Sequence, residues 1–183
     1  MKLFAFFSYG YSICKNLKGD IMDQYKMVKD KLDELNIEFK IVEHPPALTT
    51  EEADKFIEGH EGVRTKSMFL TDRKKRNFYL VILDDYKRLD MDLFKDIVDE
   101  KKIKMASENS LMEKMKLPAG TVSPFGLLNN EEHDIKFFMD KEISDQEIMT
   151  FHPNTNEKTL FIKTKDLYKF LDNIGYEVNI IEL

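Results

Sequence analysis

Two apolar runs, "TKSMFLT" (residues 65–71) and "FYLVIL" (residues 78–83), flank the basic turn "DRKKRN" (residues 72–77). Runs of this length, rich in aromatic and branched side chains and joined by a polar turn, form a buried antiparallel pair. A buried hairpin needs cover on its edges and faces, so the remaining elements must share one sheet-based core with it. The chain has 183 residues, enough for one domain whose core needs no disulfide or metal clip. No stretch approaches the roughly 18 to 20 apolar residues of a membrane span.

The other segments fit around that hairpin. "MDQYKMVKDKLDELN" puts Tyr25, Val28, Leu32 and Leu35 on one face at helical spacing, while "IEFKIVEH" alternates as a strand does. "PALTTEEADKFIE" reads as a helix with Thr49 and Glu52 as a capping box. "LDMDLFKDIVDE" reads as a helix begun by Asp90 or Asp92, and "SENSLMEKMK" as one capped by Ser107 and stopped by Pro118 and Gly120. "KIKMA", "GTVSPFGLLN", "DIKFFMD", "MTFH" and "KTLFIKT" read as short extended segments, followed by the helix "KDLYKFLDNIG" and the strand "YEVNII". Strands follow one another through short turns as often as through helices, so parallel βαβ winding is not expected. The fold class is mixed α/β (α+β): one compact domain over residues 22–183, with a mixed, largely antiparallel sheet surrounded by helices. Residues 1–21 read as an N-terminal extension or the product of an upstream start. Their apolar stretch is interrupted by Ser8, Gly10 and Ser12 and lacks a cleavage signature, so secretion is not expected.

Composition narrows the chemistry. A net charge of −6 argues against bulk electrostatic binding of nucleic acid, which leaves the turn Arg73, Lys74, Lys75 and Arg76 as the best candidate for a local basic patch. Cys14 is the single cysteine, so no internal disulfide or cysteine-based zinc site can form, in keeping with a reducing cytosol. His44, His60, His133 and His152 show no paired spacing of metal ligands, and no serine-elbow, phosphate-loop or dinucleotide motif occurs, so neither metal nor cofactor is expected. Three polar features remain. "GTVSPFG" can be a pocket wall of backbone amides or a tight turn after a helix, and Lys66 can be an edge charge or a cation aimed into a cleft; the residues alone favour the turn and the edge charge. "FHPNTNEKT" (residues 151–159) can be turn chemistry or a polar site.

Five segments in order carry a more specific likeness: "EHPPALTTEEA" (43–53), "TKSMFL" (65–70), "LPAGTVSPFGLLNN" (117–130), "MDKEI" (139–143) and "FHPNTNEKT". Together they resemble the bacterial trans-editing prolyl-tRNA deacylases, the YbaK-like family related to the editing domain inserted in prolyl-tRNA synthetases, over nearly all of Met22 to Leu183. That resemblance implies a YbaK-like editing fold. It also implies hydrolysis of the aminoacyl ester of mischarged tRNA specific for proline, in the cytoplasm, with no cofactor and with tRNA and the synthetase as partners.

Within the resemblance, Lys66 matches the essential lysine, Gly120 the glycine whose backbone positions ester and water, His152 the pocket histidine and Asp140 a nearby acid. Pro124, Phe125 and Gly126 would shape the wall, with Asn154, Asn156 and Thr159 ordering the loop beside the substrate. Met68, Phe69, Leu127 and Leu128 are further wall candidates, and Arg73 to Arg76 candidate tRNA contacts. Ser67 stands where relatives commonly carry Asn, giving a shorter hydrogen-bonding arm toward the terminal adenosine. The motifs are most like the alanine-clearing branch. A cysteine-clearing enzyme, and a module of the same fold that binds tRNA or the synthetase without hydrolysis, are the alternatives.

Overall fold

The computed structural model of the protein describes residues 23–47 and 50–183. The N-terminal extension, Cys14 and the Thr49 cap lie outside the described residues. The hairpin forms as the sequence predicts: β2 (Val63–Asp72) pairs antiparallel with β3 (Phe78–Asp84), from Thr65 opposite Asp84 to Thr71 opposite Phe78. Its turn is built on Asp72, 2% exposed, whose carboxylate accepts the amides of Lys74 (3.1 Å), Arg76 (2.6 Å) and Asn77 (3.1 Å). Lys75 takes the left-handed conformation (φ 57°) that closes the turn, and all four cations from Arg73 to Arg76 are exposed around the buried acid.

β3 is buried on both faces, and its period of two divides the core. Phe78, Leu80 and Ile82 join one hydrophobic cluster, while Tyr79, Val81 and Leu83 join another on the opposite face. The first cluster takes Val28 and Leu32 from α1 (Gln24–Glu34), Leu111 and Met115 from α4 (Glu108–Met115), and Leu167, Phe170 and Leu171 from α6 (Thr164–Asn173). Phe94 of α3 (Met91–Ile97) seals the second, standing edge-on to Tyr79 and Phe138.

The remaining strands are β1 (Phe39–Glu43), β4 (Ile103–Met105), β5 (Ile135–Asp140), β6 (Ile148–Phe151), β7 (Lys158–Lys163) and β8 (Val178–Ile181). They complete an eight-stranded sheet in the order β1-β7-β6-β2-β3-β5-β8, with β4 added to β2. Pairs β1/β7, β2/β3, β2/β4 and β6/β7 are antiparallel. Pairs β2/β6, β3/β5 and β5/β8 are parallel, so the sequence reading, which did not expect parallel winding, undercounted this half of the sheet. Parallel neighbours are brought together by long-range closure, which leaves no local mark in the sequence.

Caps fall where the side chains dictate. Asp23 accepts from Lys26 N at α1, Asp90 from Asp92 N and Leu93 N at α3, and Ser107 from Ser110 N at α4. α4 ends at Lys116 (φ 53°), before Pro118 and Gly120 are reached. Two elements differ from the sequence reading. "SPFGLLN" is not extended: Pro124–Asn129 form a 3₁₀ helix, begun by the Ser123 hydroxyl accepting Phe125 N and by Pro124 in the first position. A four-residue helix, α5 (Lys141–Ser144), follows an Asp140 cap and is too short to show periodicity. α2 (Thr50–Phe56) completes the set.

Burial raises the affinity of Asp72 for a proton, but the Asn77, Arg76 and Lys74 amides outweigh it and hold the carboxyl below its usual range. A depressed folded-state value stabilises the fold above the ordinary carboxyl range and loses that contribution as pH falls through it. Asp72→Ala is therefore expected to cost about 1–3 kcal/mol in urea unfolding at neutral pH, a penalty that shrinks as the medium is acidified.

Candidate active site

Along β2 the outer edge is shared. β6 pairs with it only at Val63 and Arg64, and β4 only from Leu70 to Asp72. A cleft of about 320 Å³ opens beside the interval between them. Its polar lining comprises Thr65, Lys66 and Ser67 of β2, Gly120 of the loop after α4, Glu108 at the start of α4 and His152 just past β6. Phe69, Met105, Ala106, Leu111, Val122 and Phe151 supply an apolar wall.

Each polar group is held by its own element. The Lys66 ammonium donates to the Asp85 carbonyl at 2.8 Å, across the end of the hairpin. Gly120 is exposed at φ 85°, and a Cβ there would meet nothing within 4 Å. Backbone conformation, not crowding, is what requires glycine at that position. His152 Nδ1 lies 3.3 Å from the Lys158 carbonyl, which can only accept, so Nδ1 carries the proton and Nε2 is left as an acceptor. Burial pushes the imidazole below its ordinary value, keeping it neutral at physiological pH. Among the described residues no three His, Cys, Asp or Glu side chains stand so as to hold a metal ion.

The polarity of residues 151–159 is largely architectural. Asn156 donates its side-chain amide to the Ala47 carbonyl (3.2 Å) and accepts the Ala47 amide (2.9 Å), while the Glu157 carbonyl accepts the His44 amide (2.9 Å). Thr159 donates its hydroxyl to His44 Nε2 (3.1 Å), and the His44 ring stacks on Phe56 at 5.0 Å. These bonds strap residues 44–47 against β7 and seat Ala47 at the cleft. Asn154 (φ 59°) accepts from the Ser123 hydroxyl (3.0 Å) and donates to Gln24 (3.2 Å), tying the loop to the 3₁₀ helix and α1.

Of the residues singled out in the sequence, Lys66, Ser67, Gly120, His152 and Phe69 converge on the cleft. The others do not line it. Phe125 is fully buried, edge-on to Phe151 (6.1 Å) and Phe170 (5.2 Å), and Pro124 is buried beside it. A Cβ on Gly126 would come within 2.5 Å of Met115 Cε and 2.6 Å of Leu117 Cδ1, so that glycine permits close packing of the 3₁₀ helix. Met68 packs against the opposite face of the sheet, and Leu127 and Leu128 border a separate groove along α1. Asp140 is 1% exposed, 2.7 Å from Lys87, and caps α5 outside the cleft. Arg73 to Arg76 lie at the far end of β2, roughly 20 Å along the strand from Lys66.

Behind His152, a small cavity of about 30 Å³ is lined by Asp54, Asp85, Thr65, Thr150 and Thr159 among others. Nothing in the sequence marked this pair of acids, although two consecutive acids directly after an apolar strand, Asp84 and Asp85, are its one local trace. Asp85 Oδ1 is sealed from solvent with no donor, and Asp54 stands within hydrogen-bonding reach. Burial first, then Asp54 and Asp84, push the Asp85 carboxyl up to about 7. Burial and the neighbouring carboxylates thus favour the protonated form of Asp85, whose proton Asp54 is placed to accept. An acid raised in the folded state costs stability as pH rises from the ordinary carboxyl range to about 7, because the unfolded chain ionises first. Asp85→Asn is expected to flatten that loss, so urea unfolding at pH 5 and pH 8 should differ less in the variant than in the wild type.

Comparison with known proteins identifies the family. The profile of the aminoacyl-tRNA editing domain matches residues 44–170. The prolyl-tRNA editing protein ProX of Acetoanaerobium sticklandii is 36% identical over 162 residues, 88% of this chain and 99% of its own. The prolyl-tRNA synthetase associated domain-containing protein 1 of Bos taurus is 30% identical over 154 residues, 82% of this chain and 90% of its own. A crystal structure assigned to a candidate trans-editing enzyme for prolyl tRNA synthetase superposes with a TM-score of 0.68 at 18% identity, covering 90% of this chain and 99% of that one, and so shares the fold. The chain belongs to the aminoacyl-tRNA editing domain family and is, by class, an aminoacyl-tRNA deacylase.

Proposed function

We propose that the protein hydrolyses the aminoacyl ester of mischarged tRNA specific for proline, acting in the cytoplasm as a free-standing proofreading factor with alanine as the preferred amino acid. The observation that carries this reading is the meeting of Lys66 and Ser67, Gly120 and His152, from three separate stretches of chain, in one cleft. The names of the relatives, a prolyl-tRNA editing protein and prolyl-tRNA synthetase associated proteins, support proline as the tRNA identity.

An ester at the 3′ end of tRNA is already activated, so positioned water and charge stabilisation suffice without a covalent nucleophile. Water oxygen adds to the ester carbonyl carbon, the carbonyl oxygen becomes an oxyanion, and the bond to the ribose 3′ oxygen breaks. The proton released by water passes to that leaving oxygen, giving a free amino acid and a tRNA 3′ hydroxyl. The neutral His152, with Nε2 as acceptor, can take or relay this proton, and a ribose hydroxyl of the tRNA can share the task. Lys66, anchored at Asp85, clamps the terminal phosphate or the ester as a point charge. Gly120 lets the backbone come close to the ester, and Ser67 reaches the terminal adenosine.

Specificity is set by size. In this reading the pocket, walled by Phe69, Met105, Leu111 and Val122, takes a methyl group and turns away the proline ring by its bulk. Affinity alone separates side chains differing by one methylene only about 10- to 200-fold, so exclusion is the stronger device. Docking with the synthetase and contact through Arg73 to Arg76 supplement the hold that an acidic protein has on tRNA. With alanyl-, cysteinyl- and prolyl-tRNA specific for proline as substrates, the alanyl ester is expected to be cleaved fastest and the prolyl ester spared. Lys66→Ala is expected to lower kcat/KM by about 10²-fold or more while leaving tRNA binding in place. Faster release of cysteine would reassign the substrate, and tRNA binding without hydrolysis by the wild type would make the protein a binding module.

A further inference from the structure

The alternation of β2 decides which of its backbone groups are spent within the sheet. The Arg64 carbonyl accepts the Asp85 amide (3.1 Å), and the Asp72 amide donates to the Asn77 carbonyl (3.2 Å). Arg64, Lys66, Met68, Leu70 and Asp72 therefore turn their amides and carbonyls toward β3. Thr65, Ser67, Phe69 and Thr71 turn theirs to the opposite edge, as the bond from the Ala106 amide to the Phe69 carbonyl (2.9 Å) confirms. On that edge β6 stops at Arg64 and β4 begins at Leu70. Ser67 falls midway between them, and it lines the cleft together with His152 and Gly120.

We propose that the Ser67 backbone N–H is the donor that receives the ester carbonyl oxygen as it becomes an oxyanion, a role for the strand edge itself that rests on the deacylase reading above. The peptide group is fixed by the ladder on its other side, because Lys66 and Met68 are both paired with β3, opposite Leu83 and Val81. A donor held in this way needs no reorganisation when charge develops, which is what gives such groups their catalytic weight. An unpaired strand edge is ordinarily a liability that proteins cover or charge. Here the open interval is confined to the few residues between two partner strands, at the place where the candidate catalytic side chains meet. The Ser67 side chain lies on the face of Phe69, inside the cleft, so the same residue presents a hydroxyl to the substrate and an amide to the reacting carbonyl.

The experiment separates the amide from the hydroxyl. Ser67→Ala keeps the N–H, and its loss is expected to fall on KM by a few-fold. Ser67→Pro deletes the N–H on the edge where proline is tolerated in strands, and kcat for alanyl-tRNA is expected to fall about 10²- to 10³-fold. If the proline variant does not fold, replacing the Ser67 amide by an ester linkage removes the same N–H without a ring. In parallel, a non-hydrolysable, amide-linked alanyl-adenosine is added to isotope-labelled wild type, and the Ser67 amide resonance is expected to move downfield and exchange more slowly. The proposal is overturned if N–H deletion leaves kcat unchanged, if Ser67→Ala loses kcat as fully as the deletion does, or if the analogue binds without moving the Ser67 resonance. A wild type that binds the analogue through Ser67 but cleaves no ester overturns the deacylase reading instead, leaving the strand edge as a binding site.

Discussion

The pairing of β2 with β3 is the constraint on which the rest of the molecule depends. β3 is buried on both faces and pairs with β2 from Thr65 to Thr71, so the pair supplies the middle of the sheet and divides the core in two. Every backbone amide and carbonyl of a buried strand needs a partner. β2 meets that demand completely along β3 and only in pieces on its other edge, with β6 at one end and β4 at the other. The cleft lies where those pieces do not meet, so the site is a consequence of how the sheet is closed.

Around that gap the protein spends polar side chains on holding loops, and few on chemistry. Residues 152–159 are the clearest case: Asn154, Asn156 and Thr159 face other parts of the chain and leave His152 as the cleft residue of the group. A loop that presents a candidate catalytic histidine gains precision when its neighbours are tied to the scaffold. The bonds from Asn156 and Glu157 to residues 44–47 do the same for the opposite wall. Asp54 and Asp85 add a half-buried acid pair behind His152, while the Asp85 main chain anchors Lys66.

Local features were read correctly where the cause is local. The Asp72 hairpin, the Asp90 and Ser107 caps and the strand β1 each follow from neighbouring residues, and each appears where the sequence puts it. The 3₁₀ helix was misread as extended because Ser-Pro and Phe-Gly are equally good turn and loop signals, and packing against Phe151 and Phe170 decided between them. Phe125 and Gly126 looked like a pocket wall for the same reason: a glycine needed for close packing and a glycine needed for a ligand are indistinguishable in a string. Asp140 carries the residue type of a site but is consumed by Lys87 and a helix cap.

The sequence by itself determined a mixed α/β domain built on one central hairpin, the positions of most elements, and, through the likeness of five segments, the family. Which of the polar residues in those segments share a site was decided only by the tertiary structure. Lys66, Gly120 and His152 come from distant stretches, and their meeting depends on the parallel pairing of β2 with β6 and on the loop after α4 reaching the same edge. Long-range closure of this kind depends on how the whole core packs, and no window of neighbouring residues encodes it. The open edge at Ser67 has the same origin, since a strand's sequence fixes its alternation but not which of its edges the rest of the chain will leave uncovered.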